Sequence, residues 1–155
     1  MKSSEFRKIG RSYWGGSVEP GLHFFDEDFQ FHDGQTGEKL FLVLGTLGSV
    51  SLVAKTTSKQ HGRGLVFGCQ PKDRFHNFYL PPGSCYLKAN TWICLDEFYE
   101  LEHKVMLQKR FDGKVKPVCD LIPALLRQIQ DCALISLDLT PAQHAIVSAC
   151  LASVS

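Results

Sequence analysis

The sequence predicts a small α+β domain: a partly closed antiparallel β-barrel followed by C-terminal helices. Three observations predict it. The stretch Gly34 to Lys59, GQTGEKLFLVLGTLGSVSLVAKTTSK, holds two apolar runs, Leu40–Leu44 and Val50–Ala54, joined by a short link with Gly45 and Gly48. That is the pattern of a β-hairpin, and Leu and Val on both parities predict that both of its faces are covered. Short β-rich runs broken by Gly and Pro continue to about residue 108. Leu121, Ile122, Leu125, Leu126, Ile129 and Cys132 then recur at three- and four-residue steps, the spacing of one buried helix face. Strands first and helices afterwards define the α+β class.

The chain of 155 residues suits a single domain, and no internal repeat or linker divides it. Hydrophobic residues make up 44% and charged residues 21%; eleven Phe and two Trp supply the bulk of a core. A net charge of +1 excludes a global basic field, so any nucleic-acid surface has to be a local patch. No apolar run reaches the roughly 20 residues that span a bilayer. The opening MKSSEFRKIGRSYWGG lacks the apolar segment of a secretory signal, so a cytoplasmic location and no membrane partner are expected. Six cysteines stand at 69, 85, 94, 119, 132 and 150, none in a CxxC pair. They are expected to be buried reduced thiols, with no metal and no cofactor. His61, Cys69 and His76 are the one loose metal-type constellation, without the spacing of a ligand motif.

In chain order, residues 1–20 read as an N-terminal arm in which Arg7, Lys8 and Arg11 precede Tyr13-Trp14. Such a pairing suits nucleic acid, although termini are more often loosely packed tails. Residues 21–108 form the predicted barrel core. Leu22–Phe25 is a first strand and Asp26–Lys39 a long polar loop carrying His32. After the hairpin, strands are expected at Leu65–Phe67, His76–Leu80, Ser84–Leu87 and Thr91–Leu95, with Pro81-Pro82-Gly83 as a stop. Tyr99–Gln108 fits either strand or helix. Residues 117–155 are predicted to hold C-terminal helices, with Thr140-Pro141 as N-cap and first helical position of the last one.

The chain has no GxSxG, HExxH, Walker loop or GxGxxG. In an antiparallel hairpin the two outer ends lie side by side, which brings Lys39 next to Thr57, Ser58 and Lys59. Lys88, Asn90 and His32 extend this set, and Lys55 and Arg63 flank it. Lysines neutralise a phosphate, while hydroxyls and an amide hydrogen-bond its oxygens. Each residue alone also fits a solvated strand end; only the convergence points to an anion site. A metal-free ribonuclease needs groups that deprotonate the ribose 2′-OH, stabilise the phosphorane and protonate the leaving 5′-oxygen.

Gly37-Glu38-Lys39-Leu40-Phe41-Leu42-Val43-Leu44, then Leu52-Val53-Ala54-Lys55-Thr56-Thr57-Ser58-Lys59, then Tyr86 to Asp96, then a helix from about Cys119 to Cys132 follow one another in order. In that order and spacing, over about residues 20–135, the chain resembles the MazF/PemK/Kid toxins. The resemblance implies an SH3-like fold and a metal-independent endoribonuclease of a toxin–antitoxin system that cleaves single-stranded RNA. It also implies 2′,3′-cyclic phosphate and 5′-OH ends, a homodimer and an antitoxin partner. Lys39, Thr57, Lys88 and Asn90 would then stand at the reacting phosphate, and Lys55, Ser58, Lys59 and Arg63 along the RNA. The chain departs from the family pattern where an Arg-Pro becomes Lys39-Leu40, a second Arg becomes Lys88 and an Asp becomes Asn90. Lysine keeps the charge and loses the bidentate fork. Asn90 cannot act as a base, which leaves His32 for proton transfer. The alternative is a non-catalytic SH3-like module that binds a protein or nucleic acid.

Overall fold

The computed structural model describes residues 18–72, 75–84 and 87–154. The predicted arm therefore lies outside the described residues except for Val18, Glu19 and Pro20. Among the described residues, seven strands form one antiparallel sheet: β1 (Leu22–Gln30), β2 (Thr36–Leu47), β3 (Val50–Thr57), β4 (Gly68–Gln70), β5 (Asn77–Leu80), β6 (Thr91–Glu102) and β7 (Val115–Asp120). Their order is β4-β5-β6-β3-β2-β1-β7, which is open, with β4 and β7 as its edges. Three helices are present among the described residues: α1 (His103–Phe111), α2 (Pro123–Leu134) and α3 (Pro141–Ala149). The chain is thus α+β, with a sheet that does not close. Among the described residues, no helix is long and apolar enough to cross a membrane.

The predicted hairpin occupies the middle of the sheet, with Leu42 opposite Ala54 and Val43 opposite Val53. Both of its faces are covered, as the double parity of apolar residues requires. On one face Leu42, Leu44, Leu52 and Ala54 pack with Ile93 and Leu95 against Leu126 and Ile129 of α2 and Val147 of α3. On the other, Phe41, Val43 and Val53 pack with Phe24, Phe29 and Tyr99. Gly48, at a φ of 60°, makes the turn. Gly45 does something else. It lies within β2, and a Cβ there would stand 3.0 Å from the Ile146 carbonyl oxygen, so α3 can approach only a glycine.

Four local readings change. The polar stretch Asp26–Lys39 is the end of β1, a turn at Gly34 and the start of β2, rather than a long loop. Its acids are accommodated across the sheet edge: Glu27 pairs with Lys116 at 3.0 Å and Asp28 with Lys114 at 3.3 Å. Tyr99–Gln108 is both of its alternatives, since β6 runs to Glu102 and α1 starts at His103. The C-terminal segment opens with β7, a strand containing Pro117, which is admissible because β7 is an edge. Leu65–Phe67 is an exposed bend and the strand follows it as β4, while neither Ser84 nor Leu87 is in a strand.

The predicted apolar stripe holds in part: Leu126, Ile129 and Cys132 are buried on α2 and Leu125 is half-buried, whereas Leu121 and Ile122 precede the helix and Ile122 is exposed. Thr140 Oγ1 accepts a hydrogen bond from Gln143 N at 3.1 Å, and Gln143 Oε1 accepts one from Thr140 N at 3.0 Å, a complete capping box. The expectation of reduced cysteines is corrected. Cys69 and Cys132 form a disulfide across 63 residues, and Cys119 is disulfide-bonded too, whereas Cys94 and Cys150 are free. The pairing arises because β4 packs on α2, a contact that no local pattern announces.

Candidate anion-binding site

Antiparallel pairing of β2 with β3 sets Leu40 opposite Thr56, so Lys39, inside β2, lies beside Thr57 at the end of β3. The segment before β6 closes the third side. Together they bound a cleft of about 610 Å³ lined by Lys39, Thr57, Ser58, Lys59 and Lys88, with Glu38 as its carboxylate. Five of the residues singled out from the sequence thus meet in one place. Thr57 Oγ1 accepts a hydrogen bond from Lys59 N at 3.1 Å, which turns the chain and leaves the Thr57 O–H free to donate.

The electrostatics are one-sided. Burial lowers the pKa of Lys39, and the positive charges of Lys55, Lys59 and Arg63 act in the same direction against the opposing influence of Cys94. Lys55 is neutralised by Glu97, at 2.7 Å. Lys39, Lys59 and Lys88 have no carboxylate within ion-pair distance among the described residues. A cleft of cations and hydroxyls with so little internal compensation is suited to a polyanion.

Four predicted residues stand apart. Arg63 is 8% exposed and holds the turn after β3: Nη1 donates to the carbonyls of Lys59 (3.2 Å) and Gln60 (3.3 Å), and the guanidinium lies over the Phe75 ring. It positions Lys59. Lys55 is bound to Glu97. Asn90 is not among the cleft-lining residues, and its Oδ1 accepts from the Tyr79 hydroxyl at 2.7 Å. His32 lies in the β1–β2 turn, stacked on Tyr99 with ring centroids 4.1 Å apart, its Nε2 3.7 Å from Glu97 Oε2.

Glu97 is the residue that sequence reasoning missed. Beside Asp96 it reads as solvated loop charge. In the structure it joins two groups, taking Lys55 on one oxygen and the Tyr99 hydroxyl at 2.5 Å on the other. Burial pushes its pKa up, and the hydrogen bonds from Lys55 and Tyr99 outweigh that and hold it low. Burial and then Glu97 raise Tyr99 well above the ordinary phenol range. The cause is a bulge: Ala54 pairs with Phe98 but Thr56 pairs with Ile93, so residues 95–97 leave the ladder. Sequence alone carries no mark of that register shift.

The metal-type constellation is recomposed. His61 lies in an exposed turn at a φ of 46°. Cys69 and His76 are joined instead by Cys132, with all three ligand atoms within 4.8 Å of one another. No protein-family model matches the chain, and no curated protein matches it.

Proposed function

We propose that the Lys39–Thr57–Lys88 cleft binds the phosphate backbone of single-stranded RNA, and that the chain acts there as a metal-independent endoribonuclease of the MazF/PemK type. The observation that carries this reading is the convergence of Lys39, Lys59, Lys88, Thr57 and Ser58 on one cleft whose single lining carboxylate among the described residues is Glu38. A volume of about 610 Å³ falls within the range of ligand sites. In this reading the sheet with an apolar core on each face is an SH3-like, partly closed barrel. The protein works in the cytoplasm as a homodimer that an antitoxin neutralises.

The chemistry follows from the groups present. Lys88 and Lys59 neutralise the phosphate, and the Thr57 O–H donates to a non-bridging oxygen of the phosphorane. Glu38 accepts the 2′-OH proton, in place of His32, which stands with Glu97 and Tyr99 instead. Lys39, whose lowered pKa eases proton release, protonates the leaving 5′-oxygen. The 2′-oxygen closes on phosphorus as the P–O5′ bond breaks, leaving a 2′,3′-cyclic phosphate and a 5′-OH.

A second reading, a module that binds RNA without cutting it, is favoured by two observations: the Asn90 carbonyl is committed to Tyr79, and His32 lies outside the cleft lining. Incubation of the protein with single-stranded RNA in EDTA separates the two. Cleavage by wild type that is lost in Glu38→Gln and Lys39→Met supports the enzyme. Binding without cleavage moves the conclusion to the module, and neither binding nor cleavage removes both.

A further inference from the structure

The cysteines present a contradiction within this reading. Disulfides are rare in a reducing cytoplasm, yet Cys69 and Cys132 are within bonding reach. A third group stands beside them. His76 Nε2 is 3.4 Å from Cys132 Sγ and 2.8 Å from the Cys132 carbonyl oxygen. A tetrahedral zinc ion with bonds of about 2.0 Å to nitrogen and 2.3 Å to sulfur sets its nitrogen and sulfur ligands about 3.5 Å apart. The nitrogen and one sulfur are already at that separation.

We infer that Cys69, His76 and Cys132 form a zinc site whose metal and whose disulfide are alternative occupants of the same clip. The geometry supplies two soft thiolates and one imidazole, a ligand set that selects zinc over hard cations, with water as the fourth ligand. Cys132 is buried on α2 and His76 half-buried just before β5. Cys69 is solvent-accessible on the edge strand β4, which gives a reductant and the ion a route in.

The exchange balances simply. A dithiol reductant gives two electrons and two protons to the Cys69–Cys132 bond, forming two thiols and its own cyclic disulfide. Zn²⁺ then displaces the two thiol protons. His76 gives up its Nε2–H hydrogen bond to the Cys132 carbonyl, the ring proton passes through solvent to Nδ1, and the freed Nε2 lone pair takes the ion. In both states β4 stays fastened to α2; only the reduced, metal-free state lets the edge strand go. The inference does not depend on the ribonuclease reading.

Cobalt titration of the reduced, desalted full chain under nitrogen tests it. One equivalent of Co²⁺ should give the strong visible absorption of a tetrahedral thiolate site, and zinc should abolish it. Cys69→Ala should lose the band, His76→Gln should weaken binding at least about 100-fold, and Cys150→Ser should leave it intact. Circular dichroism confirms that each variant is folded. Absence of a stoichiometric band, a band that survives Cys69→Ala, or one that His76→Gln leaves unchanged would overturn the site.

Discussion

Lys55 and Glu97 meet at 2.7 Å on a stretch of β6 that has left the ladder, and this pair makes Lys55 the neutralised member of an otherwise uncompensated group of cations. Glu97→Gln should therefore release a positive charge beside the cleft. Affinity for a short single-stranded RNA at low salt should rise roughly threefold, and the gain should shrink as salt is added. Fluorescence anisotropy over a salt series checks this. Unchanged or weaker binding would show that Lys55 does not face the RNA.

Lys88 and Lys59 line the same cleft without a carboxylate partner among the described residues. Replacing either by Ala should weaken binding about equally for all RNA sequences. It should also lower the slope of log K against log salt by roughly 0.7, the single-strand value for one phosphate contact. A slope identical to wild type in both variants would place the phosphates elsewhere.

His23 is fully buried between β2 and β7, and its Nε2 has no hydrogen-bond partner among the described residues. Burial lowers its pKa from 6.5 to about 4. The unfolded chain thus binds a proton that the native chain refuses. The associated stability is complete above pH 6.5 and is lost as pH falls toward 4, by about 3 kcal/mol. Urea midpoints should fall through that window in wild type and fall much less in His23→Leu. A stability difference between the two that is independent of pH would refute the assignment.

Gln130 ties the fold together from within α2. Its Nε2 donates to the carbonyls of Leu44 (2.9 Å) and Cys150 (2.8 Å), and its Oε1 accepts from Ala152 N at 2.9 Å. Gln130→Leu should leave three main-chain groups unpaired and cost about 2–4 kcal/mol in urea unfolding. Gly45→Ala should cost about 1–3 kcal/mol by pressing α3 off β2, with Gly48→Ala penalised by its positive φ instead. A neutral Gly45→Ala would show that α3 shifts freely.

Much of this was readable from local pattern. The two apolar runs around Gly48 announce the hairpin because burial on both faces demands apolar side chains at every position. Thr140-Pro141 announces a helix start because the cap is a bond between residues three apart. Lys39 and Thr57 could be set side by side because an antiparallel turn fixes register. Strand β7 was invisible, since VKPVCD has neither alternation nor length, and it becomes a strand only because the exposed edge of β1 is there to pair with it.

The same division runs through the site. Lys39, Thr57, Ser58 and Lys59 come from two strands adjacent in sequence and the residues just after them, so one hairpin suffices to gather them, whereas Lys88 arrives from the segment before β6. Glu97 against Lys55, and Cys132 beside Cys69 and His76, join residues 42, 63 and 56 positions apart. Those meetings depend on a bulge in β6 and on the packing of β4 over α2. Neither leaves a periodic trace, because packing between distant segments is set by the shape of the whole core rather than by the spacing of any one segment.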